Sequence, residues 1–407
     1  MTDSTAKPKI FAGVRVAELC QYVAGPFTTK ILADMGAEVI KVELAPRGDL
    51  MRYYPPMKAG ISGGYITENR GKRSVCVDLK QPAGVEVVRA LAHHCDVVVE
   101  NFTPGVLARY GLGYDELSAA NPRLIMCSIS GYGQNGPAAH KPANDSIAMA
   151  ASGLLDLIGD PDQAPAYPGF VIADISAAMN AFGTIASALY YREKTGIGQY
   201  IDLSLMECAA YFNCQPMANY AISGGKVKVT RFGSHARGLV PFGVFRGADG
   251  YVAITVLFQQ WAPFVKLMGR PELASDPRFE TLENRSRNRV AAIEIVEAWL
   301  LSFPSLEEPI RLMEANHIMC QRVLDVADLF DDPQFRDRGA LQEIDQPGVG
   351  PMLLNRTPYH FSETVVEISG AAPRLGEDNE RVMCGILGYS KDQFDALTNA
   401  GVLVREP

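Results

Sequence analysis

Apolar positions along this chain follow two periods, and the switches between them mark out its elements. Residues 14–19 are a short apolar run that predicts a buried strand. The turn CQYVAGP then leads into a helix over residues 27–35, stopped by Gly36, and AEVIKVE supplies a second strand. Strand, helix and strand in so short a stretch make a βαβ unit, which crosses over right-handed into a parallel sheet. The rhythm recurs. Residues 82–94 form an amphipathic helix, DVVVEN a buried strand, residues 104–110 the start of another helix, and RLIMCSISGYG a further strand after Pro122. This alternation predicts an α/β fold with a large, doubly wound, Rossmann-like domain, in which ligands lie beyond the carboxyl ends of the strands. The loops at that edge are 21–26, 101–104 and 131–137, all polar or glycine-rich.

The longest helical pattern lies in residues 168–207. Val171, Ile175, Ala178, Met179, Phe182, Ile185, Ala186 and Leu189 are spaced by threes and fours, and the apolar face is wide enough for a helix buried on most sides. Arg192 and Lys194 fall in its last turn and Gly196 follows, as cations and glycine do at helix ends. Ile201, Leu203 and Leu205 then alternate with Asp202 and Ser204, a strand pattern. Residues 207–221 continue as an apolar helix, and SGGKVKVTRFGSHARG is a polar connector. Two strands joined at Ala248-Asp249-Gly250, then helices at 259–268, 285–301 and 305–316, predict a second, smaller α+β domain over 225–330. Residues 340–364 read as a β-hairpin passage, and the end of the chain as helices and short turns.

Composition narrows the class. The chain has 407 residues, enough for two domains, with 47% hydrophobic and 21% charged residues. A net charge of −8 argues against nonspecific nucleic-acid binding. Residues 1–9 are expected to be a loose tail without the apolar core of a signal peptide, and no stretch matches a membrane span. The eight cysteines and six histidines show no metal-ligand spacing. Reduced thiols, no metal, no nucleic acid, no membrane and a cytoplasmic location are the expectations.

Two acids stand out. Glu43 ends the second predicted strand, where a dinucleotide fold places its ribose-binding acid. The first turn, however, has Gly25 alone and no G-x-G-x-x-G, so a solvated strand-end acid is the expectation. Asp174 stands at the head of the long apolar helix with no basic neighbour in sequence. It reads either as an N-cap or as a nucleophile or base that the first-turn amides hold ionised.

With the helix and the turn Lys194-Thr195-Gly196-Ile197-Gly198-Gln199, the stretch 168–207 resembles the class III CoA-transferases, the family of formyl-CoA transferase and carnitine CoA-transferase. NRGKRSVCVDLK (69–80), VVVENFTPGVLARYG (97–111) and SISGYGQNGP (128–137) are similar to the family's signatures, in the family's order. The resemblance implies that Asp174 accepts the acyl group and that CoA passes from an acyl-CoA to a small carboxylic acid. It implies a CoA site lined by Val77, Lys80, Asn101, Phe102 and Arg109, with Val23 and Ala24 in the first loop and Arg47 as a further phosphate contact. CoA is then a substrate, and no cofactor is tightly bound. Lys and Arg suit the 3′-phosphate and pyrophosphate of CoA. The large domain would span 1–224 and 331–407, and two ring-shaped chains would interlock as a homodimer through connectors near 205–235 and 325–340.

Asp145 falls where formyl-CoA transferase has a second acid near its nucleophile, and reads equally as an N-cap before Ser146. The related α-methylacyl-CoA racemases place a His-Asp pair there, whereas this chain has Ala143-Asn144-Asp145-Ser146, with His140 out of pattern. A racemase-type isomerase and a non-catalytic CoA-binding protein are the alternatives. The glycine run that shields the intermediate in formyl-CoA transferase has no match beyond Gly224-Gly225 and Gly233.

Overall fold

The computed structural model describes residues 7–406, so most of the tail expected at 1–9 lies outside the described residues. Its main sheet contains β1 (Arg15–Leu19), β2 (Glu38–Leu44), β3 (Arg73–Val77), β4 (Val97–Glu100), β5 (Ile125–Ser130), β6 (Tyr200–Ser204) and β7 (Leu403–Val404). The order is β7-β3-β2-β1-β4-β5-β6; β1 to β6 run parallel and β7 pairs antiparallel with β3. Strands β4 and β5 are buried along their whole length, as the inner strands of a parallel sheet must be, and this is why their sequences are apolar runs and not alternations. At the edge, β6 has the alternating exposure of a strand with one free side.

The helices that matter for the site are α1 (Ala24–Asp34), α2 (Gly63–Asn69), α3 (Asp145–Ala151) and α4 (Ala173–Thr195). Helix α1 begins three residues earlier than its apolar pattern suggests, because Pro26 fits the first turn, where a missing N–H costs nothing. Gly25 lets it start so close to β1: a Cβ there would lie 2.2 Å from Cys20 Sγ. Helix α4 ends as expected on Gly196, at φ +77°, in the left-handed conformation glycine adopts freely. No described helix is long and apolar enough to cross a membrane.

The chain divides into two compact units. The first comprises residues up to Leu154, Gly169–Gln215 and everything from Pro333 on. Besides the sheet it holds the hairpin Leu341–Gln346/Gly350–Asn355, whose Ile344 and Leu354 pack with Tyr65 and Ile66 of α2. The second comprises Leu155–Pro168 and Pro216–Asp332. It has an antiparallel sheet of Met319–Arg322, Gly250–Thr255 and Phe242–Gly247 in that order, with Phe245, Val252, Trp261, Phe264, Val296 and Leu300 in its core.

Three sequence expectations change. The helix expected at 207–221 is broken into Leu205–Ala210, a 3-10 turn Tyr211–Asn213, and Cys214–Ile222. Asn213 is buried at the break and donates to the Ser152 carbonyl (2.9 Å), which pins the chain there. The helix expected at 285–301 splits at Asn288 into Leu282–Arg287 and Arg289–Leu301; the Asn288 side chain donates to the carbonyls of Asn284 and Arg278. Glu43 is not a solvated acid. It is buried and bound bidentately by Arg52 at 2.6 and 2.8 Å, with Ser74 Oγ and the Asp49 amide also donating to it.

Candidate active site

Asp174 is the second residue of α4, and the residue before that helix, Ile172, has no side chain able to cap it. The cap comes instead from a different helix. Asp145 Oδ1 accepts from the Ala173 amide (2.7 Å) and the Asp174 amide (3.2 Å), satisfying two of the first-turn donors that every helix leaves over. Asp145 is itself the first residue of α3, which Asn144 caps by accepting from the Ile147 amide (3.2 Å). Neither aspartate therefore caps its own helix. The expectation that first-turn amides hold Asp174 ionised is corrected: Asp145 has taken them.

The Asp174 carboxyl has no hydrogen bond or ion pair among the described residues. Burial, then the negative charge of Asp145 and that of Glu68, push its pKa from the ordinary 3.8 up to about 7. Glu68, on α2, is balanced by Lys30 of α1 at 3.0 Å, and the Lys30 ammonium stands 3.6 Å from the centre of the Phe27 ring. The arrangement holds a carboxyl close to half-ionised at neutral pH and free to react. Asp145→Asn keeps an oxygen for the two amides but removes the nearest negative charge. The pH midpoint of any step that needs ionised Asp174 should then move to lower pH, a shift that single-turnover rates between pH 5 and 9 would reveal.

Most of the residues expected to line a CoA site lie at or beyond the carboxyl ends of β1, β3 and β4, around the point where strand order reverses. Asn101, just after β4, grips Gln21, just after β1: its Oδ1 accepts from the Gln21 amide (3.0 Å) and its Nδ2 donates to the Gln21 carbonyl (2.8 Å). Val23 and Ala24 follow at the start of α1, half-buried and buried respectively. Thr28 Oγ1 lies 3.4 Å from the Ala178 carbonyl, which brings the second turns of α1 and α4 near each other. The Phe102 amide donates to Glu100 (2.8 Å), and the Phe102 ring packs on the sheet core. Lys80, Arg109 and Arg47 are exposed. Val77 is fully buried and its carbonyl accepts from the Ala45 amide (3.0 Å), so of the two residues expected on β3's side Lys80 reaches outward and Val77 does not.

A buried charge cluster beneath these loops was missed by sequence reasoning. Lys41 Nζ lies 2.6 Å from Glu18 Oε1 and 2.8 Å from Asp49 Oδ2, and Lys72 Nζ lies 2.7 Å from Glu18 Oε2. All four side chains are inaccessible to solvent. Burial opposes the Glu18 charge, yet Lys41 and Lys72 outweigh it and bring its pKa down to about 2. The available signal was a charge set inside each apolar strand, in VAEL and VIKVEL, with opposite signs on neighbouring strands. Among the described residues no cluster of His, Cys, Asp and Glu could hold a metal ion.

Comparison with known proteins shows what the chain as a whole resembles. The model of CoA-transferase family III matches residues 11–379. The chain is 34% identical over 397 residues to the succinyl-CoA:glutarate CoA-transferase of Mus musculus, covering 97% of this chain and 90% of that protein. It is 31% identical to the formyl-CoA:oxalate CoA-transferase of Streptomyces coelicolor, over 97% of this chain and 99% of that one. The crystal structure of a CAIB/BAIF family protein from Brucella suis matches with a TM-score of 0.83 at 35% identity, over 93% of this chain and 100% of that chain. With a family match and relatives of that identity running almost end to end, the chain belongs to CoA-transferase family III and is an acyl-CoA:carboxylate CoA-transferase.

Proposed function

We propose that this enzyme moves CoA from an acyl-CoA donor to a dicarboxylic acid through covalent intermediates on Asp174. The observation that carries the reading is the Asp174 carboxyl: half-buried, without a bonding partner among the described residues, and relieved of capping by Asp145. Ionised Asp174 attacks the thioester carbonyl, and CoA leaves as thiolate from a mixed aspartyl-acyl anhydride. The thiolate attacks the aspartyl carbonyl, releasing the donor acid and leaving an aspartyl-CoA thioester. The acceptor carboxylate expels the thiolate to form a second anhydride. Attack of the thiolate on the acceptor's acyl carbon then frees the product and restores Asp174. Each bond broken is matched by one formed, and one hard exchange becomes several easier ones. A carboxylate with a raised pKa is also the better nucleophile once ionised.

Val23, Ala24, Asn101 and Phe102 would line the CoA channel, with Val77 as its floor and Lys80, Arg109 and Arg47 at the phosphates. Exposure of the three cations supports that role, since no buried partner competes for them. A dicarboxylate acceptor is supported by the relatives named for glutarate and oxalate. Assays pairing succinyl-CoA and formyl-CoA donors with mono- and dicarboxylates should give transfer that requires an acceptor and favours dicarboxylates. Run in D₂O, they should show no exchange of the donor's α-proton; rapid exchange without an acceptor would favour the isomerase reading instead. His140 is exposed and outside the Asp174–Asp145 contact, which counts against that alternative.

The same reading includes an interlocked homodimer. Tyr190 and Tyr191 on α4, and Tyr211, Phe212 and Met217 beyond it, are large exposed apolar groups that a partner chain would cover. Light scattering through a dilution series should show a dimer that persists until denaturant is added, whereas reversible dissociation to monomer would reject interlocking.

A further inference from the structure

The loop between β1 and α1 is held by its backbone, and the holding groups belong to the buried charge cluster. Lys41 Nζ donates to the Cys20 carbonyl (3.0 Å), the Tyr22 amide donates to Asp49 Oδ1 (3.0 Å), and Lys72 Nζ donates to the Pro26 carbonyl (2.9 Å). Asp49 is fixed in turn: its Oδ1 also accepts from the Met51 amide (2.9 Å), its Oδ2 faces Lys41 at 2.8 Å, and its own amide donates to Glu43 (2.9 Å). None of the cluster's side chains reaches solvent, so none can touch a substrate.

Tyr22 is the residue this clamp acts on. Its φ is +64°, in the left-handed region that non-glycine residues seldom enter. The residue is 44% exposed, so packing does not force that conformation. The left-handed step turns the chain out of β1 so that α1 can begin at Ala24. A Tyr22 released into an extended or right-handed conformation would redirect Val23 and Ala24, which follow it into α1.

We infer that Asp49, held by Lys41, is a positioning residue for CoA binding: through the Tyr22 amide it locks the left-handed turn that presents Val23 and Ala24. This rests on the reading that the 21–26 loop contacts CoA. A loop already fixed in its bound form binds without the cost of ordering, and that advantage is what breaking the clamp removes.

Asp49→Ala takes away the oxygen that accepts from the Tyr22 amide. Calorimetry with CoA on the folded Asp49→Ala variant should show affinity about tenfold weaker, with kcat at saturating acyl-CoA within about twofold of the parent. Adding Tyr22→Asn should restore most of the lost affinity, because asparagine tolerates the left-handed region without a clamp. A purely structural Asp49 would lower the melting temperature, leave the Kd of the folded protein unchanged and give no rescue; that result overturns the inference. Val23→Arg separates the two layers. If it impairs CoA binding while Asp49→Ala does not, the inference falls alone; if neither does, the loop reading falls and takes the inference with it. Should Asp49→Ala not fold, hydrogen exchange on the unmodified protein decides: the Tyr22 amide should be as protected as those of β1, and fast exchange there would refute the clamp.

Discussion

Asp174→Asn is expected to lose CoA transfer by about a thousandfold or more while the protein stays folded, because a neutral amide cannot attack a thioester. The structure adds a second, less ordinary expectation for the same variant. A carboxyl whose pKa is raised from 3.8 to about 7 holds its proton in the folded state across a range where the unfolded chain has released it. Its contribution to stability is therefore complete below about pH 4 and is lost as pH rises through 7. Above pH 7 the native enzyme carries a half-buried, unpaired charge that costs at most about 4 kcal/mol, less what solvent screens. Asp174→Asn removes that cost. Urea titrations should find the variant more stable than its parent at pH 8 and nearly equal at pH 4. Loss of activity with gain of stability is the mark of a strained functional group, and a simple capping aspartate would show the reverse on both counts.

Lys41→Met should do the opposite, destabilising the fold by about 3–5 kcal/mol at neutral pH. Methionine fits the space but leaves Asp49 buried without a cation, and Glu18 with Lys72 alone. That is a large share of the roughly 5–15 kcal/mol that holds a typical domain together. The loss should shrink as pH falls, since buried acids without partners escape their charge by taking up protons. In the native protein the Glu18 pKa is depressed to about 2, so its stabilisation is complete above about pH 4.5 and disappears only as pH drops through 2. Equal destabilisation at pH 5 and pH 8 would show that Lys41 acts by packing and not by charge.

The sheet could be read from the chain because its inner strands are buried on both faces, which makes β4 and β5 mostly apolar runs. Helix α4 was legible in its bounds, up to the glycine that ends it, but it is not buried on most sides in the single chain: Met179, counted in its apolar face, is exposed, as are Tyr190 and Tyr191. What the sequence hid is pairing across distance. Lys41 and Glu43 look like surface charges until Glu18, Asp49 and Arg52 are brought to them by strand register and the turn after β2. Asp145 looked like a cap for its own helix, yet its carboxylate crosses 28 residues to cap α4. Asn213 and Asn288 break apolar helical patterns through single side-chain bonds to carbonyls that no local rule anticipates. The position of Asp174 was visible in sequence; the desolvation and the neighbouring charges of Asp145 and Glu68 that raise its pKa were not.

The most direct test of the central claim is intact-protein and peptide mass spectrometry after mixing the enzyme with succinyl-CoA alone. Covalent transfer through Asp174 predicts a CoA thioester on the peptide that contains Asp174, lost on adding an acceptor acid and absent from Asp174→Asn. An enzyme that turns over while its Asp174 peptide stays unmodified, or an adduct that persists in Asp174→Asn, would contradict the account.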